Sequence, residues 1–144
     1  MKRKELLSEI NNGRKDFHGE DLSRKSLHDL DLLGVDFVCA NLRGANMRNA
    51  VLRNADMRGA DLRNADLQGA DLRNADLWCA DLRNADLRGA TINGAYLRDA
   101  DMRGANLRGA DMCGADLRDA NLWGAAITGS DTRFADIRNT CLRG

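Results

Sequence analysis

From residue 17 onward, apolar and polar positions recur on a period of five that never slips. Phe17, Leu22, Leu27, Leu32, Phe37, Leu42 and Met47 open a series that continues, five apart, to Ile137 and Leu142. All its members are large and apolar except Thr132. Two residues before each of them, Ala fills every position from Ala40 to Ala125. Neither regular element accommodates this. On an α-helix five residues advance a side chain by about 140°, so the leucines would spiral round the axis. On a flat strand successive odd-spaced leucines would point to opposite sides. The period fits a chain that turns a corner every five residues, with Ala and the central Leu both facing one axis.

The residue two after each Leu makes the corner. It is Gly or Asn in most units, as at Gly44, Asn49, Asn54 and Gly59. These residues best tolerate the positive φ that a type II turn requires at its third position. Thirteen of the fourteen glycines occupy this slot; the exception, Gly13, follows the only predicted helix. That helix spans residues 2–12, with Leu6, Leu7 and Ile10 on one face, Glu5 and Glu9 exposed, and Gly13 as its C′ residue.

A short constant repeat, in which no unit can bury its own apolar face, predicts a solenoid. The open end of a solenoid exposes apolar side chains and unpaired edges, so residues 1–16 are expected to form a capping helix and its connection. Residues 17–144 form the repeat domain. Lys15, Glu20, Lys25 and Leu30 replace the small residue at the start, which predicts a first coil distorted by the cap. Leu33, Val38 and Val51 point outward in this register and are expected to lie under the capping segment. After Ala125 the pattern loosens again.

The motif Ala60-Asp61-Leu62-Arg63-Asn64 resembles that of the pentapeptide-repeat family, over residues 17–144. The resemblance implies an all-β fold, a right-handed quadrilateral parallel β-helix with one unit per face. The chain then holds about six and a half coils, roughly 30 Å of rod at the usual strand spacing.

Composition narrows the functions. Lys and Arg number 22, as do Asp and Glu, so the net charge is zero. A nucleic-acid binder would carry a basic excess, and a DNA mimic an acidic one. Outside the rod, columns of Asp (Asp61, Asp81, Asp101) run beside columns of Arg (Arg43, Arg63, Arg83, Arg103), which predicts an ion-paired, solvated surface. Cys39 and Cys79 stand two coils apart, about 10 Å, beyond the reach of a disulfide. Free thiols, with no apolar run of signal-peptide or membrane-spanning length, point to the cytoplasm. His18 and His28 fall on opposite faces, and no nucleophile–base grouping, metal site or cofactor loop is expected.

Trp78 and Tyr96 break the charged columns on one face, with Arg98 above Trp78 and in position to stack on it. Trp123 interrupts the Arg column on the next face. Aromatics replacing charges fit an interaction hot spot, so Trp78, Tyr96, Arg98 and Trp123 form the candidate patch. The expected function is a non-enzymatic interaction or scaffold module for an unidentified protein partner, without nucleic acid or membrane. The resemblance also implies an alternative, because some family members look like B-form DNA, bind DNA gyrase and protect it from quinolones. The Arg columns weigh against that alternative. An ice-binding surface would need Thr arrays, and Thr91, Thr128 and Thr132 are too few. Finally, Phe134, Ile137, Cys141 and Leu142 mark a C-terminal coil through which a homodimer is expected.

Overall fold

The computed structural model describes residues 3–142, with the side chain of Arg3 outside the description. Helix α1 covers Arg3–Asn11. It ends in a Schellman motif: Gly13 N–H donates to Ile10 O and Arg14 N–H to Glu9 O, with Gly13 at φ 86. Leu6 is buried in the same cluster as Phe17, Leu22, Leu27 and Leu32, and Ile10 packs against it.

From Asp16 on, each bridging residue pairs in parallel with the one twenty positions later, as in Asp16↔Asp36, Asp36↔Asp56 and Asp56↔Asp76. One coil therefore holds four five-residue units, wound as a β-helix. Among the described residues every such contact is an isolated bridge, and none extends into a longer strand. The expectation of strands is corrected to that extent. The physical reason is the corner: a left-handed residue every fifth position leaves room for a single bridge per face.

All 25 corner residues from Gly19 to Asn139 have positive φ. The N–H of the following Ala donates back to the Leu carbonyl, as in Ala65 to Leu62 at 3.0 Å, closing a four-residue turn. Asn and Asp hold this conformation at modest cost. Arg24, Cys39, Cys79 and Phe134 hold it at a greater one.

The interior is apolar and largely aliphatic, with no buried polar or charged residue among those described. The register of twenty sets Leu over Leu and Ala over Ala from coil to coil, and the Phe17 and Phe37 rings meet at a tilt of 44° with centroids 5.7 Å apart. The distortion expected in the first coil does not occur: Asp16, Asp21, Ser26 and Asp31 bridge in the same register as every later unit. Lys15 stays exposed and Glu20, Lys25 and Leu30 are half-buried, so the backbone has no need to move.

Candidate interaction surface

Within a repeat, the Asp preceding the central residue has a backbone task as well as a charge. In the unit around Leu62, Asp61 Oδ1 accepts the N–H of Arg63 at 3.2 Å. The same Asp then takes the Arg63 side chain in two bonds, Nε to Oδ1 at 2.8 Å and Nη2 to Oδ2 at 2.5 Å. Arg73, Arg83, Arg118 and Arg138 repeat the arrangement. Asp or Asn in this slot thus satisfies an N–H that no coil-to-coil bond reaches. Hydrogen bonds from the arginines hold Asp61, Asp71, Asp86 and Asp101 below the usual carboxylate range, and the one from Arg138 lowers Asp136 to about 2. Further contacts run between coils, such as Arg63 to Asp81 at 3.5 Å. These pairs are solvent-exposed and contribute roughly 0–1 kcal/mol each.

Trp78, Tyr96 and Trp123 stand out of this surface at 49%, 54% and 58% exposure. Trp78 and Tyr96 share a face, and Tyr96 bridges Asp76 below and Asp116 above. The expected stacking of Arg98 on Trp78 is replaced by another arrangement. The indole Nε1 donates to Asp99 Oδ2 at 3.1 Å, while Arg98 pairs with Asp99 and Asp119. The cation–π contact found among the described residues is Arg14 over Phe17, at 4.5 Å.

The four candidate residues do not share one groove. Trp78 lines a shallow hollow with Val38, Cys39, Arg58, Gly59 and Cys79. Trp123 lines another with Arg83, Asn84, Arg103, Gly104 and Gly124. A Cβ at Gly104 would stand 2.5 Å from Asn84 Oδ1, at φ +67, so the Asn84 amide would have to turn aside for any larger residue. Val38 therefore belongs beside Trp78, not under the helix. Leu33 does meet α1, lining a hollow with Ile10 and Lys15. Sequence reasoning missed the thiols in the Trp78 hollow as members of the patch. Counting by twenty finds them, since Cys39, Gly59 and Cys79 fall in one column and Val38, Arg58 and Trp78 in the next. Burial pushes the Cys79 thiol up, away from the reactive thiolate.

Cys39, Cys79, Cys113 and Cys141 are all unpaired. His28 Nδ1 lies 2.7 Å from Asp29. Among the described residues no His, Cys, Asp and Glu group could hold a metal ion, and no helix is long and apolar enough to cross a membrane. At the far end, Phe134 is 88% exposed, and Ile137, Cys141 and Leu142 are exposed beside it.

Comparison with known proteins places this architecture. No curated protein is significantly similar in sequence. The family profile for pentapeptide repeats matches in eight copies between residues 16 and 144. HetL, a pentapeptide repeat protein involved in heterocyst differentiation regulation from the cyanobacterium Nostoc sp. strain PCC 7120, is 32% identical. It aligns over 87% of this chain and 67% of its own, with a TM-score of 0.66. A trypsin-treated variant of QnrB1, a plasmid-mediated fluoroquinolone resistance protein, aligns over 87% of this chain and 70% of its own. Its TM-score is 0.76 at 20% identity, a likeness of fold. The coil geometry and these neighbours together imply a right-handed β-helix, and the chain belongs to the pentapeptide-repeat family.

Proposed function

We propose that the protein is a non-enzymatic interaction module that presents a rigid β-helix surface to a protein partner. One observation carries this reading: three large aromatic side chains stand half exposed among the Asp–Arg pairs of the middle and later coils. Trp and Tyr are the residues that most often anchor interfaces. The relative HetL is involved in regulating differentiation, a role that an interaction module can fill. The test is affinity capture from the source cells with wild-type protein, Trp78→Ala and Trp123→Ala. Loss of one specific partner with either variant supports the reading; retention of every partner by both sinks it.

The scaffold behind that surface is four-sided, one unit per face, a reading that the register of twenty supports. Residues 1–16 act as cap and connection for the repeat domain, 17–144, as the burial of Leu6 favours. The unpaired cysteines fit a reducing, cytoplasmic setting.

A second reading, mimicry of DNA toward gyrase, is favoured by the likeness of fold to QnrB1. The carboxylates weigh against it, because Arg63, Arg83 and Arg118 each hold the Asp of their own unit. Without sustained negative potential, attraction to a DNA-binding groove is lost. A supercoiling assay at low micromolar protein is expected to show no inhibition of gyrase; potent inhibition would put the mimic first.

A further inference from the structure

The zero net charge of the chain hides an uneven distribution around the rod. The register of twenty stacks residues 16–20, 36–40 and their successors to 136–140 on one side, the side of Trp78 and Tyr96. That face carries nine carboxylates against four arginines. The next face, with Trp123, carries four carboxylates against six basic residues as far as residue 125, and the remaining two are balanced to within one charge. The acidity is concentrated on one side, so the rod as a whole stays neutral.

The three coils of the Trp78 hollow share this imbalance. Val38, Gly59 and the Trp78 ring line the hollow with the two thiols. The bond from Trp78 Nε1 to Asp99 fixes the indole as one wall. Among the described residues no cation of this chain stacks on that ring, since Arg98 pairs with Asp99 and Asp119. Its face is open to a cation from elsewhere. Beside the hollow, Asp36, Asp56 and Asp76 bridge one another in a column. Asp36 and Asp76 have no arginine in their own units, because Val38 and Trp78 stand in its place. Each accepts the N–H of that residue, at 2.9 and 3.0 Å. Arg58, between them, is held by Asp56 in bonds of 2.8 and 2.6 Å and comes no closer than 3.8 Å to Asp76.

We propose that the Trp78 hollow docks an extended segment of a partner protein that carries two basic residues three positions apart, with an apolar residue between them. Asp36 and Asp76 stand two coils apart, about 10 Å, and three residues of extended chain span the same distance. The apolar side chain enters the hollow. One cation meets Asp36, and the other meets Asp76 and the face of Trp78. An acidic segment would meet the same carboxylates and be repelled. The proposal rests on the reading of the Trp78 surface as an interaction site and specifies what that site takes.

The probe is the blocked peptide Gly-Lys-Gly-Leu-Lys-Gly, titrated into the full chain at low salt and followed by NMR at the two indole N–H signals. A saturable shift of the Trp78 signal is expected, with the Trp123 signal unmoved. The same peptide with Glu in place of Lys should shift neither. Asp36→Asn combined with Asp76→Asn should weaken binding about fivefold or more, the effect of removing two exposed charge pairs at low salt. Asn41 and Asn46 already fill the same slot and accept the same N–H, so the fold tolerates the change. Asp81→Asn combined with Asp101→Asn removes equal charge from the next face and should leave the affinity unchanged. Three results overturn the proposal. The first is no shift at Trp78. The second is equal weakening by both double variants, which makes the attraction nonspecific. The third is a dimer, sedimenting without peptide, that the Asp36 and Asp76 changes dissociate, which makes a second copy the occupant. If the peptide fails while affinity capture still finds a Trp78-dependent partner, the basic segment falls and the interaction module stands.

Discussion

The first and last coils share a backbone register and differ in what happens to their inward side chains. Phe17, Leu22 and Leu27 are fully buried and Leu32 is 3% exposed. Their counterparts Ile127, Ile137 and Leu142 are 41%, 50% and 52% exposed, and Thr132 is open as well. Repetition alone thus buries nothing; a coil is buried when something lies on both of its edges. At the N-terminal end that something is α1. Leu6 enters the core, and Arg14 lies over Phe17 while pairing with Glu9 and Glu20. The surface pattern differs too. The first coil places His18, Ser23, His28 and Leu33 where later coils carry Arg, so it lacks the paired Asp–Arg columns.

The sharpest way to break this comparison is to remove its key on the buried side. Leu6→Ala should cost about 2–5 kcal/mol, the range for a buried Leu. Leu142→Ala, half exposed, should cost under about 1 kcal/mol. Equal losses in chemical denaturation would mean that α1 does not close the first coil. Between the ends, Ala75 is fully buried, and Ala75→Leu should overpack an apolar interior by about 1–3 kcal/mol. Arg73→Ala, on the outside of the same unit, should cost under about 0.5 kcal/mol. A loss from Arg73→Ala as large as that from Ala75→Leu would remove the inward assignment of Ala.

Phe134→Gly tests the other end. Gly34 holds the matching corner of the first coil at φ 63, where Phe134 has φ 60. Relieving a bulky left-handed residue that packs on nothing should raise stability by about 1 kcal/mol. A fall in the thermal midpoint would mean that Phe134 already packs on something in solution.

The smallest expected effect is on pH dependence. Bonds from Arg lower the native values of Asp61, Asp71, Asp101 and Asp136, the last to about 2. A depressed carboxylate contributes stability above its unfolded value, near 4, and that contribution is lost as pH falls through the native one. Thermal stability should therefore hold level above about pH 5 and decline between about pH 4 and 2. Hydrogen exchange should show the loss in the Arg-paired coils before the first coil. A uniform loss along the rod would show that the pairs do not matter to it.

Much of the fold was legible because one constraint, a corner every fifth residue, governs every unit. Gly44, Asn49 and Asn54 announced the positive φ, and Ala60 with Leu62 announced the inward face. Gly13 announced the helix end, since a C′ glycine is a local requirement. The candidate surface was legible only in part. Trp78, Tyr96 and Trp123 stood out as breaks in charged columns. The column of Cys39 and Cys79 beside Trp78 was readable by counting in twenties, whereas the division of the aromatics between two hollows, the place of Val38 and the bond from the Trp78 indole to Asp99 were not. Those depend on side-chain directions across coils, where alternative partners of equal chemistry compete.

The sequence by itself determined the five-residue corner, the inward register of Ala and Leu, the neutral surface and the position of the N-terminal helix. Each follows from local conformational preference or from the hydrophobic effect acting on a repeated unit. Only the tertiary structure decided that Arg63 also reaches Asp81 of the following coil. It alone decided that Arg98 pairs with carboxylates instead of stacking on Trp78, and that the first coil keeps its register despite Lys15 and Glu20. It also aimed the N–H of the corner residue Asn64 at Arg83 O in the following coil. That bond spans nineteen residues of chain, a contact that exists only after the coils have stacked.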